Sequence, residues 1–140
     1  MTVHRSVAIE RADRPISLES ILPAVAKAID AATGSQPLIR SGDRVLIKPN
    51  IFCPSPAPLT TDPRVVAAMV TVALELGAGE VIVGEGRSIS TAKFRASHNT
   101  TRACAELIGM TSAVEAAGGR LAFFEAVSYT HLTLPTILLV

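Results

Sequence analysis

Apolar side chains along this chain fall into short β-branched runs, separated by longer stretches in which they recur at helical spacing. VHRSVAIE, Val3 to Glu10, alternates in part and is predicted as a first strand. Ser17 to Thr33 has helical patterning closed by Gly34, and Pro23 within it fits only a helix that starts near Ser20. The loop GSQPLIRSGD leads into VLIK, a buried strand that stops at Lys48 because Pro49 cannot donate to a ladder. Thr61 or Asp62 then stands ahead of Pro63, a hydroxyl or carboxylate before a proline at the first helical position, and a helix is predicted from there. Its body, RVVAAMVTVALELG, is polar only at Arg64, Thr71 and Glu75 and closes at Gly77, so most of it is predicted to be buried. EVIVGEG follows as a second β-branched run. The crossover is long enough to make the two strands parallel.

After EVIVGEG comes GRSISTAKFRASHNTT, a polar segment long enough to suggest function or mobility. A helix is predicted from Asn99 or Thr100, then a shorter one at Ser112 to Ala117 ended by Gly118 and Gly119, and RLAFFEA supplies a last strand. The order β-α-β-α-β-α-β predicts an α/β fold: a mostly parallel sheet of about four strands with helices on both faces, Rossmann-like and three-layered. No internal repeat or low-complexity stretch interrupts it.

The end of the chain reads differently. VSYTHLTLPT, from Val127, looks like the in-frame translation of a transposase adaptor used in library preparation, so Val127 to Val140 is expected to be a non-native tail after an α/β unit spanning 1–126. Tyr129 and His131 therefore stay out of the functional argument. The alternative is that TLPTILLV forms an edge strand after a turn. On the first view the α/β unit is truncated, and uncovered apolar surface is expected to drive self-association.

At 140 residues the chain suits one domain, and 49% hydrophobic content with a mean hydropathy of +0.41 suits a parallel sheet covered on both faces. Thirteen basic and 12 acidic residues leave a net charge of +1, with no electrostatic footprint for nucleic acid or an anionic membrane. The two cysteines, Cys53 and Cys104, show no CxxC spacing, which argues against a disulfide framework or a self-contained metal site. MTVHRSVAIERADR lacks the apolar core of a signal peptide and no run approaches a membrane span, so a cytoplasmic location is expected. GEGRSI follows a strand, as a dinucleotide fingerprint would, but Ile89 stands where the third glycine belongs. GxxxxGK[ST], HExxH and GxSxG are all absent from the sequence.

In open parallel sheets ligands collect outside the carboxyl ends of the strands, and Lys48, Asn50, Thr60, Thr61, Glu85, Arg87 and Ser88 all fall on that edge. Lys48 can meet a carboxylate or phosphate, or simply carry its amine to water. Asn50 can bond a ligand or hold a turn. Thr60 and Thr61 sit at a predicted helix start, where amides favour an anion, although capping alone explains one of them. Glu85 suits a general base or a metal ligand, or is a solvated loop acid. His98, Cys53 and Cys104 lack the partners that would make them more than an ordinary histidine, an ordinary loop thiol and a small core residue.

GDRVLIKPN followed by TTDPRVVAAMVTVALELGAGEVIVGEG resembles the family called domain of unknown function 362. The likeness is strong from Ser41 to Gly86 and looser from Val3 to Ala126. Many members carry a ferredoxin-like cysteine cluster further along, so the resemblance implies an iron-sulfur-associated protein, with a 4Fe-4S cluster in the complete molecule and no cofactor in this chain. Two departures stand out: GluGlyArgSer replaces the family's common aspartate-serine pair, and the cysteine-rich segment is absent. The resemblance leaves two functions open. One is a redox or small-acid-transforming enzyme binding an anionic ligand through Lys48, Asn50 and the Thr61 helix start; the other is a scaffold that carries the cluster segment and docks a redox partner.

Overall fold

A computed structural model describes residues 7–34, 37–86, 100–124 and 137–139. Among these residues four helices and four strands follow one another as α1 (Leu18–Thr33), β1 (Arg44–Ile47), α2 (Pro63–Glu75), β2 (Glu80–Glu85), α3 (Thr101–Leu107), α4 (Met110–Ala116), β3 (Arg120–Phe123) and β4 (Ile137–Leu139). The strands form one parallel sheet in the order β3-β2-β1-β4. The class is α/β.

The ends of the helices follow local chemistry. Ser17 caps α1 in a reciprocal box with Ser20, and Gly34 closes it at φ 63° with its N–H on the Asp30 carbonyl. Pro23 nevertheless lies inside α1, which begins at Leu18 rather than near Ser20. The proline removes only the bond to the Glu19 carbonyl, and both residues are exposed, so water can serve that oxygen. Asp62 caps α2 ahead of Pro63. Gly77 takes φ 104° after its last turn, and the Ala78 N–H returns to the Ala73 carbonyl. The short α4 starts at Met110, two residues earlier than expected, because Gly109 at φ 77° reverses the chain directly after α3.

Parallel register puts alternate strand residues on one face. Val45, Ile47, Val81, Val83 and Phe123 join Val66 and Val70 of α2 and Met110 and Val114 of α4 in a single core, each at most 7% exposed. At the amino edge of the sheet two turns interlock: Gly42 donates to the Gly77 carbonyl and Gly79 to the Asp43 carbonyl.

The expected first strand, Val3 to Glu10, is corrected over its described part, Val3 to Ser6 lying outside the described residues. Val7 to Glu10 has no strand structure, and Val7 and Ile9 are 89% and 90% exposed. Both sides of β1 are occupied, by β2 on one and β4 on the other, so no place beside it is left for this segment. The sheet has the expected number of strands with a different fourth member. Ile137–Leu139 lies beside β1, the edge-strand arrangement weighed for TLPTILLV.

Candidate functional site

The parallel β1-α2-β2 unit brings the end of VLIK and the end of EVIVGE to the same rim. Lys48 leaves β1 and its Nζ reaches across to Glu85 Oε2 of β2 at 3.0 Å. Glu85 Oε1 accepts from the Gly86 N–H at 2.8 Å. The two side chains are unequally exposed, 48% for Lys48 and 12% for Glu85. The carboxylate is thus a fixed anchor, and the ammonium is a cation held in place with one side open to water.

Asn50 and Thr61 form a clasp. The Asn50 N–H donates to Thr61 Oγ1 at 2.9 Å, the Thr61 N–H returns to the Asn50 carbonyl at 3.0 Å, and Asn50 Nδ2 donates to the Leu59 carbonyl at 3.2 Å. Thr60, 3% exposed, donates its hydroxyl to the Ser55 carbonyl. These bonds close the loop from 50 to 61 over Ile51, which is 2% exposed. Asn50, Thr60 and Thr61 are therefore gathered at the rim beside Lys48, with their polar groups engaged by the loop itself. Ser88, Arg87 and His98 lie outside the described residues.

The start of α2 is capped by Asp62, not by either threonine. Its Oδ1 accepts from the Arg64 N–H at 2.9 Å, and the Arg64 guanidinium grips both carboxylate oxygens, at 3.0 and 2.7 Å, while donating to the Ile16 carbonyl ahead of α1. Hydrogen bonding from Arg64 holds the Asp62 carboxyl below the usual carboxylate range, against a burial effect in the opposite direction. An anion thus already complements these amides.

Two further features escaped the sequence reading. Arg102 of α3 lies over the Phe123 ring, 4.6 Å from its centre. At the amino edge, Glu80 bridges Arg44 and Arg120, each at 2.6 Å, and the two arginines, Arg120 foremost, lower its carboxyl. Both pairings join residues far apart in sequence, so no spacing rule could reveal them. A cavity of about 320 Å³ between α1, α2 and residues 37–39 also lies toward the amino edge, away from the Lys48 rim. Cys53 is half-buried in the loop after β1 and Cys104 is buried in α3. Among the described residues no group of three or more His, Cys, Asp or Glu side chains gathers to hold a metal, and no helix is long and apolar enough to cross a membrane.

With this geometry in place, comparison with known proteins gives one positive finding. The model of a family described as a domain of unknown function, DUF362, matches residues 45–138, more than half of the chain. No curated protein and no solved structure matches.

Proposed function

The chain belongs to the DUF362 family, and on that premise we propose that its α/β unit binds a small anionic ligand at the carboxyl rim of the sheet, as the recognition part of a redox or small-acid-transforming enzyme. The observation that carries this reading is the Lys48–Glu85 pair, a half-exposed ammonium 3.0 Å from a nearly buried carboxylate at the ends of two neighbouring strands. A cation already pinned loses less rotamer freedom when an anion arrives, so more of the charge attraction appears as affinity. Asn50 and Thr61 support the site indirectly, by fixing the loop that follows Lys48. Glu85 orients the ammonium. A cytoplasmic setting belongs to the same proposal.

An iron-sulfur association is part of what the resemblance implies for the complete protein. The residues present do not fit such a group: a 4Fe-4S cluster takes four thiolates, and this chain has two cysteines, one of them in the core.

Titration of the chain with small carboxylates and phosphorylated metabolites, before and after Lys48→Ala, tests the site. A loss of tenfold or more in affinity, about the effect of one charge-assisted contact, is expected. Unchanged affinity removes the site.

A second reading, a non-catalytic scaffold that docks a redox partner, draws on the Asn50–Thr61 clasp and the buried Thr60 bond, since a loop whose polar groups serve itself needs no ligand to explain it. On that reading Lys48→Ala lowers the melting temperature and leaves electron transfer by the complete protein intact.

A further inference from the structure

The carboxyl rim carries a second cation. Arg102, in the first turn of α3, places its guanidinium carbon 4.6 Å from the centre of the Phe123 ring. Phe123 ends β3 and is the register partner of Glu85. Side chains at paired positions of a parallel ladder leave the same face, from backbones about 5 Å apart. Glu85 in turn holds Lys48. Across the rim the order is therefore Lys48, Glu85, and Phe123 beneath Arg102, with two cations flanking one carboxylate.

The two cations are not equivalent. The charge of Lys48 is met by Glu85, whereas no carboxylate among the described residues pairs with Arg102, which is exposed. Phe123 is 7% exposed and belongs to the core, so the ring beneath Arg102 is a fixed platform. A guanidinium lying over an aromatic face is steadied by the ring while its N–H groups remain in its own plane, the geometry that takes a carboxylate through two parallel bonds.

We propose that Arg102 is the second anion-recognising side chain of this rim and that the ligand carries two acidic groups, one met by Lys48 and the other by the Arg102 fork. The inference rests on the rim being an anion site and names the class of ligand it takes. Size follows from the sheet. The backbones of β1 and β3 are two ladder spacings apart, roughly 10 Å, and Lys48 already reaches across the first of these to Glu85. A short dicarboxylate spans what is left. Glu85, between the two cations, disfavours a bulky anion centred on the rim and separates the two acidic groups.

The test is calorimetric titration of the intact chain with succinate and glutarate, and with butyrate as the single-acid control, repeated for Arg102→Gln, Arg102→Lys and Lys48→Ala, with melting temperatures for each. The dicarboxylates are expected to bind about tenfold more tightly than butyrate, the effect of one further charge-assisted contact. Arg102→Gln removes that preference, so that on the variant the dicarboxylates bind no more tightly than butyrate does, whereas Arg102→Lys, which keeps the charge but not the fork, retains part of it. Lys48→Ala weakens all three acids. A preference that survives both Arg102 variants, or a wild-type chain that does not distinguish one acid group from two, overturns the inference while the anion site stands. If Lys48→Ala changes no affinity, or no acid binds at all, the anion site falls and the inference with it. Should Arg102→Gln fail to fold, Arg102→Lys carries the comparison, because it keeps a cation over the ring.

Discussion

At the scale of single residues, polar groups in this chain do two kinds of work, and substitutions separate them. Thr60 is buried and donates to the Ser55 carbonyl, so Thr60→Val keeps the volume, leaves that carbonyl without its donor and is expected to cost about 1–2 kcal/mol in chemical denaturation. Anion affinity measured on the same variant should hold, since the Thr60 hydroxyl is already spent on the Ser55 carbonyl. Asp62 couples stability to pH. Its folded-state carboxyl lies below the ordinary value, so the stabilisation is fully present above the unfolded pKa and is lost as pH falls through the folded one. Asp62→Asn keeps an oxygen to cap α2 but gives up the charge. It should melt lower than the wild type at neutral pH, and the gap should close as the solution is acidified below the usual carboxylate range. A gap that is constant with pH would show that the Arg64 grip contributes nothing to folding.

At the scale of elements, two positions set local rules against tertiary demands. Pro23 sits inside α1 on an exposed face, where it removes a backbone hydrogen bond. Pro23→Ala is expected to raise the melting temperature, since proline inside a helix is up to about 3 kcal/mol worse than alanine and the stiffness it gives the unfolded chain offsets only part of that. Gly79 presents the opposite case. A Cβ there would stand 2.9 Å from the Gly42 carbonyl oxygen, where the turn before β1 crosses the turn before β2. The obstacle is backbone and cannot rotate away, so Gly79→Ala should cost about 1–3 kcal/mol. A Cβ at Gly84 would come closer still, but to the ends of the Leu46 and Phe124 side chains, which can give way, and Gly84→Ala should be the milder change. The reverse ranking in denaturant midpoints would contradict this packing.

At the scale of the whole molecule, the core draws on residues 39 to 123, with α2 at its centre, packed on α1, α4, β1 and β2. The segment after Val127 contributes β4, three residues on one edge of β1. A chain ending at Ala126 tests the proposal that the tail is foreign: on that proposal it keeps a single cooperative transition within a few degrees of the original, whereas the family match through residue 138 and the pairing of Ile137–Leu139 with β1 predict a loss of stability. Loss of cooperative melting would make β4 part of the native sheet and overturn that proposal. The sequence by itself determined what depends on neighbours a few residues apart. The β-branched runs became β1 and β2, the apolar run RLAF became β3, Asp62-Pro63 opened α2, Thr100 capped α3, and Gly34 and Gly77 ended their helices, because caps, turns and strand propensity are settled within one turn of chain. Only the tertiary structure decided the rest. It left Val7 and Ile9 in water while Ile137–Leu139 took the edge of β1, an outcome of competition for one free edge that alternation along a segment does not encode. It also placed Lys48 on Glu85, and Phe123, under Arg102, opposite that same glutamate, because pairs across a sheet are fixed by strand order and register and a shift of one residue would turn every one of those side chains to the other face.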